Sequence, residues 1–211
     1  MKRLLLFILL FQAGIGFSQN LEKDTIQLQE IFVGNTPPKK SKIVKTKFSG
    51  FCSFFGDVYY GYERINLVTD LPEGYIRSVE FNFNSTFLLD KDEYKFRDTD
   101  LQLLFYEVSA SGEPGNRIGQ PVSFTVKGDH KGKLEIPVPY PMVKNPGKIF
   151  VGLRRVKRHE PGIIGVKVNC LCKGEGYISY QYNPELKKWV KLDFASAVYK
   201  MTIKEIVLPA K

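Results

Sequence analysis

The sequence is poor in the residues that carry most catalytic and metal chemistry. Its 211 residues include two histidines, three cysteines and one tryptophan. A serine or cysteine nucleophile needs a neighbouring base, commonly histidine, yet His130 and His159 stand in loop-like stretches with no ligand spacing. Neither a G-x-S-x-G elbow nor an H-E-x-x-H motif occurs. We therefore predict no catalytic residue, no metal and no cofactor, and a protein that is not an enzyme.

Long apolar runs are missing beyond the first residues. The start is basic, residues 4–11 are apolar, and the small residues Gly16 and Ser18 follow. This order is typical of a secretory signal peptide, and the run is shorter than the roughly 20 residues that span a bilayer. We predict a signal peptide over residues 1–18 and a chain that does not span a membrane. The product would reside in the periplasm, at the outer membrane or outside the cell.

Acidic residues are outnumbered, 22 against 31 basic ones, which gives a formal net charge of +9. For an exported protein we expect no nucleic-acid partner; acidic polysaccharide or phosphorylated lipid headgroups suit this charge better, and excess lysine also serves solubility. Many of the lysines lie in "GNTPPKKSKIVKTK" at 34–47. With the extended segment "DTIQLQEIFV" at 24–33, this stretch predicts an N-terminal strand and Lys/Pro linker over 19–47, followed by a domain over 48–211.

The three cysteines are Cys52, Cys170 and Cys172. An odd number leaves at least one thiol outside any intrachain disulfide. Cys170 and Cys172 flank Leu171, so on a strand they point to the same face, and a bond between them would strain the backbone. An exported chain is therefore expected to join Cys52 to Cys170 or to Cys172, the alternative being buried free thiols.

Alternation with a period of two residues dominates the chain and predicts strands with one buried and one wet face. It occurs in "RSVEFNFN" at 77–84, "PVSFTVK" at 121–127, "KLEIPVPYP" at 133–141 and "VYKMTIK" at 198–204. Two further segments, "LQLLFYEV" at 101–108 and "KIFVGLRRV" at 148–156, are apolar on both faces, as central strands are. Pro137 and Pro139 place their segment at a sheet edge. We predict an all-β fold: an antiparallel two-sheet sandwich, jelly-roll-like, with an extended N-terminal lead-in.

The glycine-rich stretch "GEPGNRIG" at 112–119 lies between two predicted strands. Its spacing differs from that of a phosphate loop and of the dinucleotide fingerprint, and no helix follows to bind an anion. We interpret it as the reversal between a strand ending near Val108 and one starting near Val122.

Tyrosines and the single tryptophan are the remaining candidates for a binding site. "GYISYQYNPELKKWV" predicts a hairpin around Asn183-Pro184 that carries Tyr180, Tyr182 and Trp189. Such rings stack on sugars through their apolar faces while their polar groups stay wet. The alternative is packing in the core or in cross-strand pairs.

The acidic stretch "DKDEYKFRDTD" at 90–100 is a second candidate cluster. Paired carboxylates hydrolyse glycosidic bonds and carboxylates on a loop bind calcium. The regular calcium-loop spacing is missing and lysine and arginine interrupt the acids, so we interpret the stretch as a solvated loop.

Several of these segments together resemble an uncharacterised family of exported β-sandwich domains. The resemblance rests on "EGYIRSVEFNFN", on the stretch from "LQLLFYEV" through "GEPGNRIG" to "KIFVGLRRV", and on "GYISYQYNPELKKWVKL". The family occurs in Gram-negative bacteria rich in TonB-dependent receptors. In longer relatives the domain follows a carboxypeptidase-regulatory-like domain. The segment "DTIQLQEIFVG" of this chain resembles the last segment of that preceding domain. The resemblance implies a sandwich in the cell envelope and no catalytic motif.

These observations predict an exported, non-catalytic accessory module of the cell envelope. Its partner would be a glycan or another envelope protein, such as an outer-membrane protein. The alternatives are a polysaccharide-active enzyme using paired carboxylates and a structural component of the outer envelope. The sequence does not define the oligomeric state.

Overall fold

The structure is a computed structural model that describes residues 42–47, 53–84, 95–160, 163–171, 177–193 and 198–207. The chain divides into two compact units, Met1–Asn35 and Thr36–Lys211, and all described residues belong to the second. They form strands and connecting turns, with no helix among them. The strands are β1 (Lys42–Lys47), β2 (Ser53–Gly56), β3 (Glu63–Val68), β4 (Gly74–Asn84), β5 (Lys95–Arg97), β6 (Thr99–Val108), β7 (Pro114–Arg117), β8 (Val122–Val126), β9 (Lys131–Pro137), β10 (Val143–Asn145), β11 (Ile149–Arg155), β12 (Ile163–Gly165), β13 (Lys167–Leu171), β14 (Ser179–Asn183), β15 (Lys188–Leu192), β16 (Val198–Tyr199) and β17 (Met201–Val207).

The strands form two antiparallel sheets that pack together, which confirms the predicted all-β sandwich. The eight-stranded sheet has the order β1-β17-β4-β13-β16, with β9 and β10 paired to β4 and β2 paired to β13. The seven-stranded sheet has the order β15-β14-β3-β11-β6-β7, with β8 paired to β6. A short parallel pair, β5 and β12, stands apart from both.

The main core lies between the two sheets. From the eight-stranded sheet, Phe81 and Phe83 of β4 contribute fully buried rings that contact each other, and Phe81 meets the buried ring of Tyr199 edge-on. From the seven-stranded sheet, Leu103 of β6 and Leu153 of β11 belong to the same cluster. Each sheet thus presents one alternating set of side chains inward, as the period-two pattern predicts.

Strand positions within the sheets agree with the sequence pattern. The doubly apolar segments became β6, between β11 and the β7/β8 edge, and β11, between β3 and β6. The proline-bearing segment became β9, whose strand partner among the described residues is β4. Its prolines therefore do not interrupt a central ladder.

The glycine-rich stretch does reverse the chain after β6. The Gly112 N–H donates to the Ser109 carbonyl, and Gly112 and Gly119 have φ angles of 82° and 65°, where a side chain would be strained. Between them, Pro114–Arg117 forms β7, which pairs with the end of β6. The loop therefore adds a short edge strand before β8 begins at Val122.

Only part of the predicted N-terminal region, residues 1–47, is described by the structure. Residues 1–41, with the predicted signal peptide and lead-in strand, lie outside the described residues. Lys42–Lys47, assigned from sequence to the linker, instead forms β1 and pairs with β17 along its whole length. Ile43, Val44 and Thr46 favour an extended backbone, and lysines between them are tolerated because the strand is exposed on the sheet edge.

Candidate ligand-binding face

A line of six side chains crosses the seven-stranded sheet on the face turned away from the main core. The strand register places them opposite one another in the order Trp189, Tyr182, Glu63, Arg154, Gln102 and Ser123. Directly paired residues point to the same side of a sheet, so these six form one continuous row. We call it the polar–aromatic row, because its β15 and β14 end is aromatic and the rest is polar.

The polar part of the row is held by paired hydrogen bonds. Arg154 donates from Nη1 to Oε1 of Glu63 at 2.7 Å and from Nε to Oε1 of Gln102 at 3.0 Å. Gln102 in turn donates from Nε2 to Oγ of Ser123 at 3.1 Å. The second oxygen of Glu63 accepts a hydrogen bond from the Tyr106 hydroxyl. The carboxylate, with 10% of its side chain exposed, is thus satisfied at both oxygens and compensated by the guanidinium.

Tyr106 links the polar row to the aromatic side chains. Burial, followed by the hydrogen bond and negative charge of Glu63, raises the pKa of its hydroxyl well above the ordinary value. The hydroxyl therefore stays protonated at physiological pH and remains a donor to Glu63. The Tyr106 ring meets the Trp189 ring edge-on at a centroid distance of 5.1 Å, and Trp189 meets Tyr182 at 5.3 Å.

A second buried cluster lies beneath these rings on the same face. It consists of Ile65, Leu104, Tyr106, Phe150 and Tyr180, with Leu67, Val108, Ile178 and Trp189 packed against it. Phe150 and Tyr180 meet edge-on at 5.6 Å. A face that a simple sandwich leaves to solvent is therefore partly apolar and buried. We refer to the row and this cluster together as the aromatic face.

The contact between Trp189 and Tyr106 shows that the sheet curls around the aromatic face. Trp189 is on β15 and Tyr106 on β6, four positions apart in the sheet. A flat sheet would separate these strands by roughly 19 Å. Two aromatic side chains cannot span that separation and still bring their ring centroids to within 5.1 Å of each other. The face is therefore concave, with β15 and β7 nearer to each other than in a flat sheet.

Gly152 of β11 occupies the floor of this concave face. It lies opposite both Ile65 and Leu104, and a Cβ added there would overlap the backbone oxygen of Arg64. No side chain stands at this position, so β3 and β11 approach closely beneath the aromatic rings. Glycine is therefore required at position 152, because any side chain there would overlap the neighbouring strand.

The three aromatic residues predicted as a sugar-stacking site do come together, in different environments. Trp189 and Tyr182 form a half-buried cross-strand pair at the end of the row. Tyr180 is only 8% exposed, and burial, then the nearby charge of Glu113, raises the pKa of its hydroxyl. Tyr180 thus supports the face from below, while Trp189 and Tyr182 retain accessible surface.

The sequence reasoning missed the polar residues Glu63, Arg154 and Gln102. Gln102 interrupts the apolar run of β6, whereas Glu63 begins β3 next to Arg64 and Arg154 lies next to Arg155 at the end of β11. The sequence therefore carries a usable signal for Gln102 only. Their convergence, however, depends on three strands that are far apart in sequence, with Glu63 and Arg154 separated by 91 residues.

The one cysteine among the described residues is Cys170, which is buried and free. Burial raises the pKa of its thiol to about 11, although Arg64 lowers it in part, so the thiolate is scarce at neutral pH. Cys52 and Cys172 lie outside the described residues, and the disulfide prediction stays a prediction. His130 hydrogen-bonds the Gly132 carbonyl and His159 the Asp98 carbonyl.

Part of the acidic stretch is also described. Asp98 binds the Lys127 ammonium and the Gly128 N–H, and Asp100 accepts from the Thr125 hydroxyl. Asp90, Asp92 and Glu93 lie outside the described residues. Within the part of the chain that the structure covers, no group of three or more histidine, cysteine, aspartate or glutamate residues is placed to hold a metal ion.

No protein-family profile matches the sequence, and no curated protein does. Among solved structures, the chain is similar to a clostridial cysteine protease, Cwp84, in the form left after propeptide cleavage. The TM-score is 0.50 at 12% sequence identity, over 82% of this chain and 42% of the protease chain. The chain thus spans less than half of that protein, and at this identity the likeness concerns the fold alone.

Proposed function

We propose that this protein is an exported, non-catalytic accessory module of the cell envelope that binds a glycan at its aromatic face. The observation that carries the proposal is the polar–aromatic row. It sets two half-buried aromatic rings, Trp189 and Tyr182, beside an arginine and an amide that are held in place by Glu63 and Ser123. Sugars have an apolar ring face and a polar rim, so they are bound by such combinations of aromatic and planar polar side chains.

The concave shape of the face supports a ligand of limited width. The buried side chains of the second cluster fill the inner part of the curl, so the accessible ring surface is confined to Trp189 and Tyr182 beside the polar part of the row. A protein partner, the other predicted ligand, would instead use the wide surfaces and sheet edges that protein interfaces need. The glycan is therefore the ligand that we favour.

The non-catalytic part of the proposal rests on how the reactive groups are engaged. Glu63, the carboxylate at the centre of the face, is bonded at both oxygens, which leaves it poorly suited to exchange protons with a substrate. Cys170 is buried with a raised thiol pKa, and the histidines contact backbone carbonyls instead. No described residue belongs to a helix long and apolar enough to cross a membrane.

A glycan array probed with purified residues 19–211, the predicted product of export, tests the proposal. We expect binding to one glycan class and its loss in Tyr182→Ala, because Tyr182 contributes accessible ring surface and contacts only Trp189 among the described rings. Val190→Ala is the matched control, since Val190 is exposed on the same strand pair but points to the opposite face.

Three outcomes contradict the proposal in different ways. An array without binding, together with co-purification of an outer-membrane protein from cells, would favour the protein-binding module. Release of new reducing ends from a bound glycan would identify the enzyme. Unchanged binding in Tyr182→Ala would place the site elsewhere on the molecule.

A further inference from the structure

The guanidinium of Arg154 has hydrogen-bonding capacity that its partners in the protein do not use. Arginine carries five N–H donors. One is directed to Glu63, and two, from Nε and Nη2, share the single acceptor Oε1 of Gln102. Two donors remain, one on each terminal nitrogen. The side chain is 29% exposed, so part of it can be reached from the solvent.

Donors outnumber acceptors along the polar part of the row. The Gln102 amide nitrogen uses one of its two N–H groups on Ser123, while its oxygen is occupied by Arg154. The Glu63 oxygens are both engaged, by Arg154 and by Tyr106. A ligand at this row must therefore supply acceptor atoms. A planar carboxylate supplies two in the spacing that a guanidinium matches with parallel hydrogen bonds.

The charges around the face are consistent with an anionic ligand held by directed bonds. Lys191 and Arg117 are exposed, opposite Tyr180 and Tyr106, and so lie on the two rims of the curl. Of the nearby acids, Glu63 is neutralised by Arg154, Asp100 lies on the same face of β6 as Gln102 and accepts from the Thr125 hydroxyl, and Glu113 is exposed close to Tyr180. Net charge near the row is thus small, and selectivity for an anion has to come from the geometry of Arg154.

We propose that the aromatic face selects glycans that carry carboxylates, with the free N–H pair of Arg154 binding the carboxylate while Trp189 and Tyr182 stack on the sugar ring. This inference rests on the proposed glycan-binding function and adds the ligand class to it. Within the row, Glu63 then acts as a positioning residue: it fixes the guanidinium through its hydrogen bond to Nη1 and does not itself touch the ligand.

A matched pair of polymers tests the ligand class: polygalacturonate and its carboxyl-reduced form, which has the same linkage and no charge. In titration calorimetry with residues 19–211, we expect binding of polygalacturonate to be stronger by about tenfold or more, as for hydrogen bonds to charged groups. Arg154→Lys should remove most of this preference, because an ammonium still pairs with Glu63 but cannot present two parallel donors. Val190→Ala should leave both affinities unchanged.

The possible failures separate the two proposals. Equal binding of the two polymers, or an unchanged preference in Arg154→Lys, would overturn the carboxylate inference and leave glycan binding standing. Binding of the neutral polymer alone would overturn it as well. Binding of neither polymer, with an empty glycan array, would overturn both. Melting curves of each variant establish that a loss of binding is not a loss of the fold.

Discussion

Glu205 is a buried carboxyl group whose ionisation the fold opposes. It is fully buried on β17; Asn145 donates to its Oε1 at 2.6 Å, and its Oε2 has no hydrogen-bond partner. Burial raises its pKa from 4.5 to about 7, and the Asn145 hydrogen bond offsets only part of this rise. Near neutral pH the side chain therefore changes between a protonated form that suits its surroundings and a charged form that does not.

This shift predicts a loss of stability with rising pH. Between pH 4.5 and about 7 the folded chain keeps a proton that the unfolded chain releases, so the contribution of Glu205 to stability is complete below pH 4.5 and disappears as the pH passes 7. Glu205→Gln imitates the protonated form. We expect the wild type to lose up to about 3 kcal/mol relative to this variant between pH 5 and pH 8, measured by urea unfolding.

The exposed Glu185, on the β14–β15 turn, provides the control for this experiment. Glu185→Gln should follow the wild-type pH profile. If Glu205→Gln also follows it, the carboxyl group of Glu205 is not the group that titrates in this range.

At the scale of single residues, the sequence predicted the aromatic members of the face and not their different exposures. Tyr180 and Tyr182 are two residues apart on one strand and therefore share a face. Tyr180 is buried because it packs in a cluster with residues of other strands, Phe150 among them. Alternation predicts the direction of a side chain, whereas exposure depends on contacts between strands distant in sequence.

At the scale of elements, the pairing of β2 with β13 indicates which cysteines can form the predicted disulfide. The register places Cys170 opposite Phe54 and Leu171 opposite Ser53. Cys52 and Cys172 lie outside the described residues, each next in sequence to this last pair. Direct partners have Cβ atoms about 4.5–5.5 Å apart and diagonal ones roughly 7–8 Å, while a disulfide needs about 3.5–4.5 Å.

We therefore predict a bond between Cys52 and Cys172 that leaves Cys170 as the free thiol. Labelling with a maleimide in denaturant without reductant should find one thiol in the wild type, none in Cys170→Ser and two in Cys172→Ser. A crosslink that persists in Cys172→Ser would instead join Cys52 to Cys170. Three thiols in the wild type, purified from an oxidising compartment, would mean that no disulfide forms.

Strands that are buried on one or both faces can be predicted from the sequence, whereas an exposed edge strand cannot. The segments that became β4, β6, β9 and β11 were recognised because their alternation or continuous apolarity reflects burial on one or two faces. The lysines of the β1 segment and the two prolines before it predict a linker instead. Its strand conformation comes from pairing with β17, a long-range interaction that leaves little trace in the sequence of an exposed edge.

At the scale of the whole described unit, stability is divided between two clusters that the sheets keep apart. The main core joins the two sheets, whereas the cluster of the aromatic face belongs to the seven-stranded sheet alone. The composition, rich in phenylalanine and tyrosine, predicts a sandwich core or a stacking surface. The second cluster combines both roles, since its buried rings support the accessible ones.

Trp189 connects the outer hairpin to this second cluster and should therefore control its local stability. It is half-buried on the edge strand β15 and contacts both Tyr182 and Tyr106, so it joins the hairpin β14–β15 to β6 across the curl. Replacing it by alanine removes these contacts without touching the main core. We expect Trp189→Ala to cost about 2 kcal/mol, less than a fully buried tryptophan, with the loss concentrated in the hairpin.

Amide hydrogen exchange followed by mass spectrometry locates that loss. In Trp189→Ala, residues 179–192 should exchange faster, while β4 and β17, at the centre of the other sheet, should keep their wild-type protection because their contacts lie in the main core. Val190→Ala, altered on the opposite face of the same strand, should leave the exchange of the hairpin unchanged. Uniformly faster exchange in both sheets of Trp189→Ala would mean that the two clusters unfold as one cooperative unit. The aromatic face would then be an integral part of the core and not a separately supported binding surface.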